Sequence, residues 1–71
     1  MPIDLHPIQS SNISAAGHDE KENILAIKFK DGALYHYHDV PKDVYETLIG
    51  AKSVGSHFHS TIKGNYKHSK Q

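Results

Sequence analysis

The feature that most constrains the fold is a predicted β-hairpin over residues 24–40, whose second strand begins at Leu34 and stops at Pro41. Leu25, Ile27 and Phe29 alternate with smaller or charged residues, which is typical of a strand with one apolar face. Asp31-Gly32 follows this run, and that dipeptide is a strong signal for a hairpin turn. We therefore predict two antiparallel strands joined at this point.

The length of the hairpin loop decides which side chains are buried, because a slip of one residue exchanges the two faces of a strand. A three-residue loop over residues 30–32 pairs Ile27 with Tyr35 and Leu25 with Tyr37. It also gives the glycine the left-handed position that a type I turn with a G1 bulge requires. A two-residue loop would turn both tyrosines to the opposite face. We predict the three-residue loop.

The remaining elements complete an α+β arrangement. A short first strand is predicted over residues 13–18, a helix over residues 42–49 after Pro41, and a second helix capped by Ser53. The predicted fold is a three-stranded antiparallel β-meander followed by two short helices packed on one face. Residues 1–9 are expected to form an extended lead-in, residues 10–66 a single domain and residues 67–71 a mobile tail.

Charge is distributed unevenly along the 71 residues. Eight basic and eight acidic residues give no net charge, and cysteine is absent. All eight acids lie within residues 1–50, whereas residues 51–71 carry four lysines and three histidines. The last third is therefore locally basic. The absence of cysteine suits the reducing cytoplasm, where we expect the protein, and no apolar run has the length of a membrane span.

This basic segment is a candidate surface for RNA or another phosphate-bearing ligand, because lysines neutralise phosphates and aromatic rings stack on bases. Its candidate residues are Lys52, His57, His59, Lys63, Tyr66 and Lys67. The alternative is an ordinary solvated helix face followed by a soluble tail.

Other features are less specific. Tyr35 and Tyr37 could present a stacking platform, but the predicted register places them inward as core residues. His36 and His38 share one face of a strand and could chelate a metal, yet a zinc site needs three or four protein ligands. No metal or cofactor is predicted. The histidines lack a spacing that indicates catalysis, so we do not expect an enzyme.

The chain resembles the KTSC domain, a small family found C-terminal to some lysyl-tRNA synthetases and as stand-alone bacterial proteins. The matching positions are Ser10-Ser11-x-Ile13, Tyr35-His36-Tyr37, Val40-Pro41, Ala51-x-Ser53-x-Gly55-x-x-Phe58, Ile62 and Tyr66. His59 and Lys63 differ from the Asn and Arg that are usual there. A lysine supplies a point charge rather than a planar fork. The resemblance implies that the ligand is RNA, such as a tRNA-like molecule.

The sequence therefore favours a small non-enzymatic binding module that contacts RNA or another phosphate-bearing ligand through its second helix and C-terminal end. The alternative is a protein–protein interaction module or homodimer. Such a module would use an open sheet edge or the face that carries His36 and His38.

Overall fold

The protein is a five-stranded antiparallel sheet with two helices on one face. The computed structural model describes residues 3–71, and the strands lie in the sheet in their sequence order. The elements are β1 (His6–Pro7), β2 (Ile13–Asp19), β3 (Ile24–Phe29), β4 (Leu34–Tyr37), α1 (Lys42–Ile49), α2 (Val54–Thr61) and β5 (His68–Lys70). The predicted α+β class is confirmed, although the sheet has five strands rather than three.

The β3–β4 hairpin has the predicted register, but β4 ends at Tyr37 rather than at Val40, and Asp39 beyond it leaves the extended conformation with φ +59°. Leu25 lies opposite Tyr37 and Ile27 opposite Tyr35. The loop glycine, Gly32, has φ +97°, in the left-handed region that glycine adopts without a steric penalty. The three-residue loop is therefore confirmed, and with it the orientation of both tyrosines toward the helices.

Two edge strands were not predicted. β1 pairs with β2, and β5 pairs with β4, so the expected mobile tail of residues 67–71 is a paired strand in the structure. Its backbone is fixed at both ends, because the His38 amide donates to the Lys67 carbonyl at 2.8 Å and the Gln71 amide donates to Leu34 at 2.7 Å. All three β5 residues are exposed. Backbone pairing rather than side-chain burial holds this strand, and an apolar pattern could not reveal it.

Both predicted helices form, and they pack on the face of the sheet that carries Tyr37. Ser53 caps α2 by accepting a hydrogen bond from the Ser56 amide. Phe58 packs edge-on against two rings of the sheet, with centroids 5.6 Å from Phe29 and 5.4 Å from Tyr37. These contacts place α2 directly above the hairpin.

His18 joins α1 to the sheet. Its ring stacks on Tyr45 of α1 at a centroid distance of 5.5 Å, and its Nε2 atom donates to the Val40 carbonyl at 2.6 Å. This histidine therefore holds α1 against the sheet, at the end of the sheet opposite the β3–β4 turn.

The N-terminal segment crosses the other face of the sheet. The backbone of Asp4 lies directly against Gly17, so close that a β-carbon on the glycine would be 2.0 Å from the Asp4 carbonyl oxygen. Ile3 and Leu5 are half-buried beside this crossing. Within residues 3–71, neither helix is long and apolar enough to cross a membrane.

Candidate nucleic-acid interface

A cavity of about 500 Å³ opens between α2 and the β3–β4 turn. Its lining comes from four parts of the chain: residues 11–13, the hairpin from Phe29 to Tyr37, one face of α2 with Lys63 beyond it, and His68 of β5. This volume lies within the range of about 300–1,000 Å³ that is usual for small-molecule sites.

The rim of the cavity is held together by local backbone contacts. The Ser10 hydroxyl accepts hydrogen bonds from the amides of Asn12 and Ile13, at 3.2 and 3.3 Å. The same hydroxyl lies close to α2, since a β-carbon on Gly55 would be only 3.0 Å from it. The Lys30 amide in turn donates to the Asn12 carbonyl at 2.9 Å. These contacts fix Asn12 between the helix and the hairpin turn.

The walls of the cavity are aromatic. Phe29 and Tyr35 meet edge to face at a centroid distance of 5.6 Å, and Tyr37 lies 6.4 Å from Tyr35. His68 extends this cluster from β5, with its ring 5.3 Å from Tyr37 and 5.7 Å from Tyr35. The cavity is therefore bordered by several aromatic rings that pack against one another.

The two tyrosines are core residues that also border the cavity. Tyr37 is 4% exposed and Tyr35 is half-buried, so the prediction that they lie inward is confirmed. Burial raises the pKa of the Tyr37 hydroxyl above its ordinary value of 10.0, and the neighbouring Tyr35 adds to the shift. The Tyr37 phenol therefore keeps its proton at neutral pH and can donate a hydrogen bond.

Basic side chains outnumber acidic ones along the cavity. Lys30, His59, Lys63 and His68 line it, and all four are exposed. Asp31 also lines it, but one of its carboxylate oxygens already accepts a hydrogen bond from the Ala33 amide at 2.9 Å. This edge of the molecule can therefore attract an anion.

The structure divides the six residues proposed from the sequence. His59 and Lys63 line the cavity. His57 and Tyr66 line a second, shallower depression of about 280 Å³ beside Asp43 of α1. The separation of the histidines follows from the helix, where residues two apart point about 200° away from each other.

Lys52 and Lys67 are exposed and line neither depression. In contrast, Lys30, Asn12 and His68 line the cavity and were not among the proposed residues. The glycine inside α2 was the available signal, because a helix tolerates glycine where another segment approaches closely. It pointed to a close contact but not to the segment that makes it.

The His36 and His38 pair does not form a larger cluster. His38 forms a hydrogen bond of 2.9 Å between its Nε2 atom and the Ser69 hydroxyl. Among residues 3–71 no three or more His, Asp or Glu side chains are grouped so that they could hold a metal ion.

Similar proteins cover most of this chain. A protein from Tsukamurella paurometabola is 40% identical over 63 residues, which span 89% of this chain and 94% of the relative. A lysine–tRNA ligase from Nostoc punctiforme is 39% identical over 59 residues, which are 83% of this chain but only 10% of the ligase. The domain thus occurs both nearly alone and as a small part of a larger protein.

The fold is also found in a crystal structure. A KTSC domain protein from Yersinia pestis superposes with a TM-score of 0.92 at 31% sequence identity, with 99% of each chain covered. The KTSC domain family itself matches residues 9–66, one residue longer at its start than the domain predicted from the sequence. This chain therefore belongs to the KTSC domain family.

Proposed function

We propose that the protein is a non-enzymatic binding module for RNA, which it contacts at the cavity between α2 and the hairpin turn. The observation that carries this proposal is the convergence of Lys30, His59 and Lys63 beside aromatic walls. Lysines next to exposed ring surfaces are the means by which many proteins bind single-stranded nucleic acid.

The charge arrangement supports an anionic ligand of low affinity. Two lysines and two histidines face the cavity, against one aspartate that is partly engaged by backbone. Two lysine–phosphate contacts correspond to a slope of roughly −1.4 in a plot of log affinity against log salt for a single strand. Binding is therefore expected at low salt and should weaken steadily as salt is added.

The relatives are consistent with this ligand. The matched region forms about one-tenth of proteins named as lysine–tRNA ligases. A module that binds RNA in its own right would add a contact to such a protein without taking part in its chemistry.

The test is a salt titration of a fluorescent single-stranded oligoribonucleotide, followed by anisotropy, with Lys63→Gln as the main variant. The variant should reduce the slope by roughly 0.7, the share of one phosphate contact. Lys21→Gln is the matched control, because Lys21 is exposed at the β2–β3 turn, at the opposite end of the sheet. No binding at low salt, or an equal effect of the two variants, would refute the proposal.

A role in protein assembly through a sheet edge is less well supported. β5 covers the edge of β4, and the new edge is three residues long, with Lys67 before it and Lys70 at its end. Short edges with lysine are features that discourage pairing with another chain. A homodimer whose elution volume is independent of salt would favour assembly over RNA binding.

A further inference from the structure

We propose that the cavity accepts one unpaired nucleobase, so that the RNA ligand is single-stranded at this site. The inference rests on the proposed function and specifies which part of the ligand enters the cavity. Its basis is the combination of flat aromatic walls with hydrogen-bonding groups at the rim and cations outside them.

The walls suit a planar ring. Phe29 and Tyr35 are both half-buried and nearly perpendicular, with an interplanar angle of 81°, so each presents a different surface toward the cavity. His68 lies over the other side of the tyrosine pair at a tilt of 32° to Tyr37. A base that enters the cavity between α2 and the hairpin can stack on one of these rings and meet the edge of another.

The rim supplies groups that can bond to the edge of a base. The Asn12 side-chain amide, which lines the cavity, makes no hydrogen bond to any of the described residues, 3–71. The second carboxylate oxygen of Asp31, beyond the one that accepts from Ala33, is likewise available. An amide and a carboxylate provide both donor and acceptor positions for a Watson–Crick edge.

The cations lie where the backbone of that nucleotide would leave the cavity. Lys63 follows the end of α2 and Lys30 lies in the hairpin turn, so phosphates are attracted on both sides of the opening, and His59 of α2 also lines it. A duplex cannot use such a site in the same way, because the faces of its bases are stacked inside the helix and cannot contact the ring walls. The geometry therefore favours an end, a bulge or a loop.

The experiment compares three probes of equal length against the full chain: single-stranded hexauridine, the same strand without bases, and a six-base-pair RNA duplex. Hexauridine should bind roughly 5- to 150-fold more tightly than the abasic strand, which is the effect of stacking one base. Tyr35→Leu should remove most of that difference. Tyr66→Leu is its matched control, since Tyr66 is also half-buried but lines the other depression.

Because the Tyr35 variant could unfold, ring proton shifts of the unmodified protein provide a second measurement. Hexauridine should shift the Phe29 and Tyr35 ring signals, and the abasic strand should not. If all three probes bind equally and shift only signals near the lysines, the base-binding inference is wrong and the RNA proposal stands. If none of them binds at low salt, both proposals fail.

Discussion

Gly17 is the position at which a single added methyl group should do most damage to the sheet. It lies in β2, opposite Ala26, and the N-terminal segment crosses over it. A β-carbon at this position would be 2.0 Å from the Asp4 carbonyl oxygen, 3.0 Å from the Asp4 carbonyl carbon and 3.1 Å from a methyl group of Ile3. The clash is with backbone, so no side-chain rotation can relieve it.

The cost of Gly17→Ala can be worked out from two ways of relieving the clash. If the segment shifts while staying packed, overpacking costs about 1–3 kcal/mol. If it detaches instead, Ile3 and Leu5 lose their partial burial, which is worth about 2 kcal/mol for the two side chains together. Alanine itself favours a strand over glycine by about 0.5–1 kcal/mol. The overlap is with backbone, which puts the shift in the upper part of its range, so detachment is the cheaper route and sets the cost. Subtracting the alanine preference from about 2 kcal/mol leaves a net loss of stability of about 1–1.5 kcal/mol.

Thermal unfolding followed by circular dichroism provides the measurement. A loss of this size should lower Tm by about 4–12 °C in a domain of this length. In a chain that lacks residues 1–5 the obstacle is gone, so the same substitution should raise Tm by about 2–8 °C. Gly50→Ala is the control, because a β-carbon there would be 3.4 Å from its nearest neighbour at φ −88°. A Gly17→Ala variant that melts at or above the unmodified protein would refute the reasoning.

Two further predictions concern the hairpin turn and alkaline pH. Gly32→Ala should lower the free energy of unfolding by about 1–2 kcal/mol, because Gly32 has φ +97° with open space around it, so the cost comes from the backbone conformation alone. Gly32→Asn should lose less, because asparagine tolerates this conformation better. Equal urea midpoints for the two variants would contradict this. Burial raises the pKa of Tyr37 and Tyr45, so the unfolded chain loses these protons first and stability should fall as the pH rises above about 10. Tyr45→Phe should reduce that alkaline loss in urea unfolding, and an unchanged loss would count against the burial of this phenol.

The hairpin could be predicted from the sequence because several local signals agreed. The alternation around Ile27, the Asp31-Gly32 dipeptide and the two tyrosines were compatible with one apolar face only in the three-residue loop. The cap of α2 at Ser53 was predicted for a similar reason, since a hydroxyl before an apolar periodic run satisfies a free amide. Where local chemistry and burial favour the same structure, the sequence is sufficient.

The edge strands and the cavity could not be predicted in that way. β1 and β5 consist of His-Pro and His-Ser-Lys, which have no apolar alternation and include residues that are uncommon in strands. Their pairing depends on where distant backbone groups lie after the sheet has formed. The cavity is assembled from four separate segments, and only His59 on α2 and Lys63 just after it could be recognised from a basic pattern.

The C-terminal strand β5 is both an edge strand and part of the cavity wall, and neither was predicted. Once residues 68–70 pair with β4, the side chains of this edge strand must alternate between the two faces of the sheet. His68, opposite Tyr37, therefore lies on the helix-facing side beside the tyrosines, whereas Ser69 lies on the other side and meets His38. A residue that the sequence assigned to a mobile tail thus becomes a wall of the candidate site. Because all three residues of β5 are exposed, the integrity of that wall depends mainly on the backbone pairing of β5 with β4.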